Sequence, residues 1–292
     1  LLSTREMQRF SRLALQSRYV VEGTLAGAHR SAQKGSSTEF SEHRAYIPGD
    51  DPKRLDWRVL ARTEKHVVRE YQDETNLRVY VVLDRSRSMD FGSGAVTKFD
   101  YAAHLAGALG YVVVKARDSI GLILHGDADD TRLEAGNSMS HLNALAKHVQ
   151  AARPGEATSL ADTLHRIADS IRRRALIVIL SDLYDDTGAV VRALAHFRKQ
   201  HHDVILLHVL DPAELDFTFR KAARFRDLET GEKLNVDPRA IRAAYREAFR
   251  EFVDAYREAA SSLGMDYRLA RTDGDAEPFV RAYLSERRRL SK

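Results

Sequence analysis

Asp84, Ser86 and Ser88 stand at alternate positions in the run Asp84-Arg85-Ser86-Arg87-Ser88. In an extended or gently turning loop, alternate side chains face the same way. One carboxylate and two hydroxyls can then converge on a point while Arg85 and Arg87 point away. One anionic and two neutral oxygen donors suit a small, hard divalent cation such as Mg²⁺. Two later segments carry matching donors. Thr158 lies in Ala157-Thr158-Ser159-Leu160, after Pro154-Gly155, and Asp182 lies in Ser181-Asp182-Leu183-Tyr184-Asp185-Asp186. Together Asp84, Ser86, Ser88, Thr158 and Asp182 supply five candidate oxygen ligands, and waters with one outside ligand would complete an octahedron. Each residue also has a plainer reading. Ser and Asp initiate turns and cap helices, so Thr158 alone reads as a helix N-cap and Asp182 as the cap of the following helix. The order of the three segments, each placed after a strand or at a helix start, favours the metal reading.

Those donors need a frame. Four short runs are almost wholly apolar: Arg78–Leu83, Ile120–Leu124, Ala175–Leu180 and Val204–Val209. Such runs mark strands covered on both faces. A fifth run is Tyr267–Leu269. Helical periodicity alternates with them, over 97–116, 138–152, 159–173, 187–200, 238–263 and 276–289. The alternation predicts an α/β fold, a Rossmann-like open, mostly parallel sheet flanked by helices. Ligands in such sheets bind beyond the carboxyl ends of the strands, where the winding reverses. Asp84 and Asp182 each follow one of these strands. The stretch from Gly126 to Gly136 predicts a short edge strand, and Phe225–Val236 a hairpin turning at Thr230-Gly231. Ile241, Tyr245, Phe249, Phe252 and Tyr256 recur at three- and four-residue spacing, a stripe that predicts a core-facing helix.

Residues 1–75 break the alternation. Leu2–Ser17 reads as a helix, Pro48-Gly49 as a turn and Lys65–Tyr71 as a strand. This predicts a small N-terminal module with some β structure, followed by the main domain over 76–292. Only Gln72–Leu77 connects the two, so the module is expected to pack on the main domain. Trp57, at a predicted helix start, is expected to anchor the small module on the main domain, with a partner-docking surface as the alternative reading of Pro48–Asp51, Arg54, Asp56 and Trp57.

Composition narrows the chemistry. With 292 residues, 43% hydrophobic and 30% charged, the chain can bury a substantial core. Lys and Arg number 46 against 42 Asp and Glu, a formal charge of +4. The basic residues are interspersed with acidic ones, and no recognition motif accompanies them, so specific nucleic-acid binding is not expected. Arg172–Arg174 and Arg287–Arg289 read as solvated helix ends. The absence of cysteine excludes disulfides, thiolate metal sites and cysteine nucleophiles. No window has the length of uninterrupted apolar residues that a membrane span needs, and a cytoplasmic location is expected. There is no Walker-type loop, and Gly92-Ser93-Gly94 lacks the spacing of a dinucleotide loop. His201 and His202 adjoin a predicted strand and would face opposite ways, which argues against shared zinc. Ser86 and Ser88 lack the glycines of a nucleophile elbow. An alternative, a metal-dependent phosphatase with Asp84 as nucleophile, needs a second Asp two residues later as general acid, and Ser86 stands there.

The order Asp84-x-Ser86-x-Ser88, Thr158, Asp182 resembles the metal-ion-dependent adhesion site of von Willebrand factor A domains. Upstream, Glu39-Phe40, Arg44, Tyr46, Pro48-Gly49-Asp50-Asp51, Asp56-Trp57 and Ala61-Arg62 resemble the signature of the bacterial domain-of-unknown-function 58 family. That resemblance runs from about Gly35 to the C-terminus. It implies a von Willebrand factor A-like fold and a non-catalytic Mg²⁺, or another divalent cation such as Mn²⁺ or Ca²⁺. An acidic side chain of a partner protein would fill the open metal position. It further implies a MoxR-type AAA+ ATPase as partner, in protein maturation or remodelling. Many members carry membrane segments ahead of this region.

Overall fold

The computed structural model describes residues 40–47, 55–71, 77–126, 131–155, 159–219, 223–226 and 233–290. They fall into two compact units, one within 27–76 and one over 77–291. The expected helix Leu2–Ser17 and the turns at Pro48-Gly49 and Thr230-Gly231 lie outside the described residues.

In the larger unit the apolar runs form the centre of one sheet. Val79, Val81 and Leu83 feed the core on one face and Tyr80 and Val82 the core on the other, as alternation along a doubly covered strand requires. The strands are β3 (Arg78–Asp84), β4 (Ser119–His125), β5 (Thr131–Gly136), β6 (Leu176–Ser181), β7 (Asp203–Leu210) and β10 (Asp266–Arg271), following β1 (Phe40–Ala45) and β2 (Val67–Tyr71) of the smaller unit and the pair β8 (Ala223–Arg226) and β9 (Lys233–Val236). The six lie in the order β10-β7-β6-β3-β4-β5. All neighbours are parallel except β4 and β5, so the expected edge strand closes the sheet antiparallel. From β3 the chain winds first toward β4 and later returns to the other side at β6. The winding therefore reverses between β3 and β6.

Helices cover both faces. On one lie α2 (Lys98–Lys115), α3 (Met139–Ala151) and α8 (Glu277–Leu290); on the other lie α4 (Leu160–Ser170), α5 (Thr187–Lys199) and α7 (Pro238–Ser262). A short α6 (Pro212–Asp216) follows β7, and α1 (Trp57–Thr63) belongs to the smaller unit. The aromatic stripe on α7 packs inward, with Phe249 and Tyr256 buried and Tyr245 and Phe252 half-buried. Every helix and strand predicted for the larger unit is present within a few residues of its predicted ends. The fold is the α/β, von Willebrand factor A-like architecture. The hairpin is present as antiparallel β8 and β9.

The smaller unit pairs β1 with β2 antiparallel, with Ala45 opposite Val67. Leu55 bridges to Val68, and the Asp56 carboxylate caps α1 by accepting from the amides of Arg58 and Val59. Within the smaller unit Trp57 is not buried. It is the first residue of α1, on the solvent side of the capped turn, and 62% of its surface is exposed. The buried anchor of this turn is Leu55.

Candidate metal site

Asp84 is the last residue of the central strand β3, and burial there is nearly complete. Its Oδ1 accepts the Ser86 amide at 2.8 Å, and its Oδ2 accepts the Ser181 hydroxyl at 2.5 Å. Both carboxylate oxygens are thus oriented by one short turn and by the end of β6 across the switch point. The Ser86 and Ser88 hydroxyls stand 3.0 Å apart, brought together by a 3-10 turn over Arg87–Asp90 that Ser86 opens. Ser88 is buried, Ser86 and Arg85 half-buried, and Arg87 exposed.

Backbone contacts hold this loop. The Arg85 amide donates to His125 O at 2.8 Å, and the Arg85 carbonyl accepts from Gly155 N at 2.7 Å. Gly126 sits at φ +132°, and a Cβ there would meet the Arg85 carbonyl carbon at 2.8 Å. Glycine is therefore required twice, for the dihedral and for the close approach.

Asp182 follows β6 and is buried, but its carboxylate is engaged. Oδ2 accepts from Lys98 Nζ at 2.7 Å, and the same ammonium donates to Glu214 Oε1 at 2.6 Å. Lys98 has 0% exposure, and its Nζ lies 4.7 Å from the Tyr184 ring centroid. Burial alone would push the Lys98 ammonium toward the neutral form. The charges of Asp182 and Glu214 outweigh that and hold its pKa above the ordinary lysine value. The Asp182 carbonyl accepts from His208 Nε2 at 3.0 Å, while His208 Nδ1 meets the Tyr267 hydroxyl at 2.9 Å. A neutral ring protonated on Nε2 satisfies both contacts, and burial pushes its pKa down to about 4. The next residue, Leu183, is buried at φ +58°, a conformation that non-glycine residues hold only where the surroundings enforce it. Tyr256 supplies part of that enforcement, donating to Leu183 O.

Of the five expected ligands, Asp84, Ser86 and Ser88 lie together, and Asp182 is next to Ser181, which bridges to Asp84. Thr158 lies outside the described residues. The plainer readings find other residues: the cap of α4 is Ser159, and that of α5 is Asp186. Ser159 is also tied to the β6–α5 loop, donating to Asp185 at 3.3 Å.

The donor chemistry fits a hard divalent cation at Asp84, Ser86 and Ser88. Burial raises the pKa of the Asp84 carboxyl, and the Asp182 charge raises it further, against His125, Ser181 and Ser86, which lower it. A buried carboxylate at such a cost is one that a cation would stabilise. The Asp182 carboxylate is shared with Lys98. The sequence reading passed over Lys98, Ser181 and Glu214. Lys98 carried a signal: it falls on the same helical stripe as Ala102, Leu105 and Leu109, all buried, so a cation occupies a core position. Asp211-Pro-Ala-Glu214 carried another, the Asp-x-x-Glu pattern of a capping box, which forms at α6.

The open, mostly parallel six-stranded sheet with helices on both faces is an α/β fold with Asp84 at the point where the winding reverses. The chain belongs to the family described as Protein of unknown function DUF58, which matches residues 42–255. It is 28% identical over 288 residues to the uncharacterized protein Rv1480 of Mycobacterium tuberculosis, covering 95% of this chain and 88% of that one. Two solved structures share the fold at a TM-score of 0.50. The conserved hypothetical protein BatB of Bacteroides thetaiotaomicron is 15% identical, covering 74% of this chain and 98% of that chain. An aerotolerance-related membrane protein of Bacteroides fragilis is 17% identical, covering 73% and 99%. Among the described residues of the present chain, no helix is long and apolar enough to cross a membrane.

Proposed function

We propose that this chain is a non-enzymatic protein-binding module that grips an acidic residue of a partner protein through one divalent cation, Mg²⁺ in the first instance. Asp84, Ser86 and Ser88 would hold the cation, with Thr158 and Asp182 completing the set directly or through water. The observation that carries this reading is the convergence of the two serine hydroxyls, 3.0 Å apart, beside a buried carboxylate at the switch point. When bound, the cation supplies a coordination position for a carboxylate from outside. The chain's own part is to orient donors: Ser181 and the Ser86 amide fix the Asp84 carboxylate, and Gly126 lets the loop lie against β4. A phosphatase would need a general acid two residues beyond Asp84, and Ser86 is there, its hydroxyl facing Ser88.

The partner proposed is a MoxR-type AAA+ ATPase, with a role as adaptor or co-chaperone in protein maturation or remodelling. This assignment rests only on the resemblance to the domain-of-unknown-function 58 family, of which the chain is a member. The test is capture of a MoxR-type ATPase from the source organism by the purified chain, in Mg²⁺ and in EDTA. Binding is expected in Mg²⁺ and its loss in EDTA or on Asp84→Ala. Equal binding in both buffers would refute the metal grip, and turnover of a generic phosphate ester that depends on Asp84 would refute the non-enzymatic reading.

A further inference from the structure

We infer that the end of the sheet opposite the Asp84 loop is a docking face for an anionic lipid bilayer, built where the fold brings two basic segments to one buried carboxylate, Asp203. This face is separate from the candidate metal site, and the inference does not rest on that site.

Arg174 precedes β6 and Arg289 lies in the last turn of α8, yet both close on Asp203 at the start of β7. Asp203 Oδ2 accepts from Arg174 Nε and Nη2 at 3.1 and 2.9 Å, and its Oδ1 accepts from Arg289 Nη2 at 3.1 Å. Arg198 Nη1, from the end of α5, stands 3.6 Å from Oδ1. The Asp203 side chain is 4% exposed, against 63%, 56% and 40% for Arg174, Arg289 and Arg198. One buried anion thus holds three guanidinium groups in place while they stay open to solvent. Arg172, Arg173, Lys199 and Arg288 are their exposed chain neighbours. Of the other carboxylates at this end, Glu286 is bound by Arg289, Asp266 by Arg268, and Asp169 faces His196. Positive charge is left in excess. Each basic segment by itself reads as a solvated helix end, but the helix dipole does not call for three guanidiniums on one carboxylate.

The kind of partner follows from this layout. Guanidinium groups crowded on a single carboxylate gain from further anions, and their planar fork matches a phosphate. The cations come from one loop and two helix ends at the amino ends of β6 and β7, so they spread across the end of the sheet and do not line up on one helix. A face of one sign fits an extended anionic surface such as phospholipid headgroups. Nucleic-acid recognition would add a helix or ribbon for a groove, or aromatic side chains to stack on bases, and among these exposed residues there is no aromatic. The carboxyl ends of the strands, roughly 20 Å away along β6, carry the reverse sign in Asp84, Asp182, Asp185, Asp186 and Asp211. The larger unit is therefore polarised along its strands, and docking by the basic end turns the Asp84 loop away from the bilayer.

The test is co-sedimentation of the purified chain with sucrose-loaded phosphatidylcholine vesicles, with and without an equal part of phosphatidylglycerol, in low and in high salt. Binding is expected to the phosphatidylglycerol vesicles in low salt and should weaken as salt screens the charges. Each basic residue at such a surface is worth about fivefold in affinity, so Arg172→Glu, Arg173→Glu and Arg288→Glu together should lose about 100-fold or more. All three residues are exposed, and the triple variant should melt as wild type does. A control of the same net charge, Arg239→Glu, Arg246→Glu and Arg250→Glu on the exposed side of α7, should bind nearly as wild type does. Absence of binding to the phosphatidylglycerol vesicles, equal binding without the anionic lipid, or equal losses in the two triple variants overturns the inference. If the first variant does not fold, wild type alone decides, because vesicle binding that high salt leaves intact also overturns it. Binding to duplex DNA or polyglutamate that needs the same arginines, with none to vesicles, assigns the face to another partner and overturns the bilayer reading.

Discussion

Replacing Asp84 by Asn should reverse its effect on stability according to whether Mg²⁺ is present. The substitution keeps the shape of the side chain and an oxygen to accept the Ser86 amide, 2.8 Å away in the native protein. It removes the charge. Holding an ion in a buried position costs several kcal/mol even after relaxation, and burial is the first cause of the raised Asp84 pKa. Against that, the Ser181 hydroxyl loses its carboxylate acceptor, a loss of about 1–3 kcal/mol for a bond to a charged group. The balance favours the variant by about 1–2 kcal/mol in EDTA. Saturating cation works the other way. At a hundred times its Kd, Mg²⁺ stabilises wild type by about 2.7 kcal/mol and leaves the variant unmoved. For a domain of this size each kcal/mol moves Tm by about 2–4 °C. Wild type should therefore gain roughly 5–11 °C in Mg²⁺ and cross from below the variant to above it. Differential scanning fluorimetry in EDTA and in a Mg²⁺ series measures both shifts. An Asp84→Asn protein that gains as much from Mg²⁺ as wild type would refute the reasoning.

Other perturbations have separate readouts. Gly126→Ala places a side chain at φ +132° and 2.8 Å from the Arg85 carbonyl carbon, so it should cost about 1–3 kcal/mol or more and shrink the Mg²⁺-induced gain in Tm; a variant that melts like wild type would remove the pinning argument. His208, neutral in the fold with a pKa of about 4, is protonated in the unfolded chain below about pH 6.5, so stability falls as pH drops through that window. The loss at pH 5 is about 2 kcal/mol, and buried His202, also lowered by burial, adds to it in the same direction. Urea unfolding at pH 7 and pH 5 should show a shallower dependence for His208→Gln, and an identical slope would contradict this. Trp57→Ala should change stability by no more than about 0.5 kcal/mol, because its ring is exposed; a loss of 3 kcal/mol by urea unfolding would show it to be an anchor after all.

The frame of the site is legible in the sequence because its elements are driven by local patterns. The runs at 78–83, 120–124, 175–180 and 204–209 are apolar almost throughout, and only strands covered on both faces read that way. The Asp84, Ser86 and Ser88 cluster is equally local, although Ser88 reaches Ser86 from a 3-10 turn over Arg87–Asp90 and not from an extended loop. The Lys98, Asp182 and Glu214 cluster is not local. Its members come from the start of α2, the end of β6 and the first turn of α6, 84 and 116 positions from Lys98. A lysine at a helix start opposes the helix dipole and reads as a poor choice until its two carboxylates are seen. Asp182 stands just past β6, as the apolar run predicts, but what its carboxylate faces depends on this long-range pairing. The small unit reads less well because β1, Phe40–Ala45, is polar at its four central positions and shows no apolar alternation. Within the smaller unit Trp57, a large aromatic at a helix start, lies on the surface, because the turn it opens is anchored by Leu55.

The most direct test of the cation site is an anomalous difference map from a crystal of this protein soaked in Mn²⁺, collected at the manganese edge. The account predicts one peak per chain about 2–2.5 Å from an Asp84 carboxylate oxygen and from the Ser86 and Ser88 hydroxyls. A well-soaked crystal with no peak at this loop, or with its peak elsewhere and unaffected by Asp84→Asn, would contradict it.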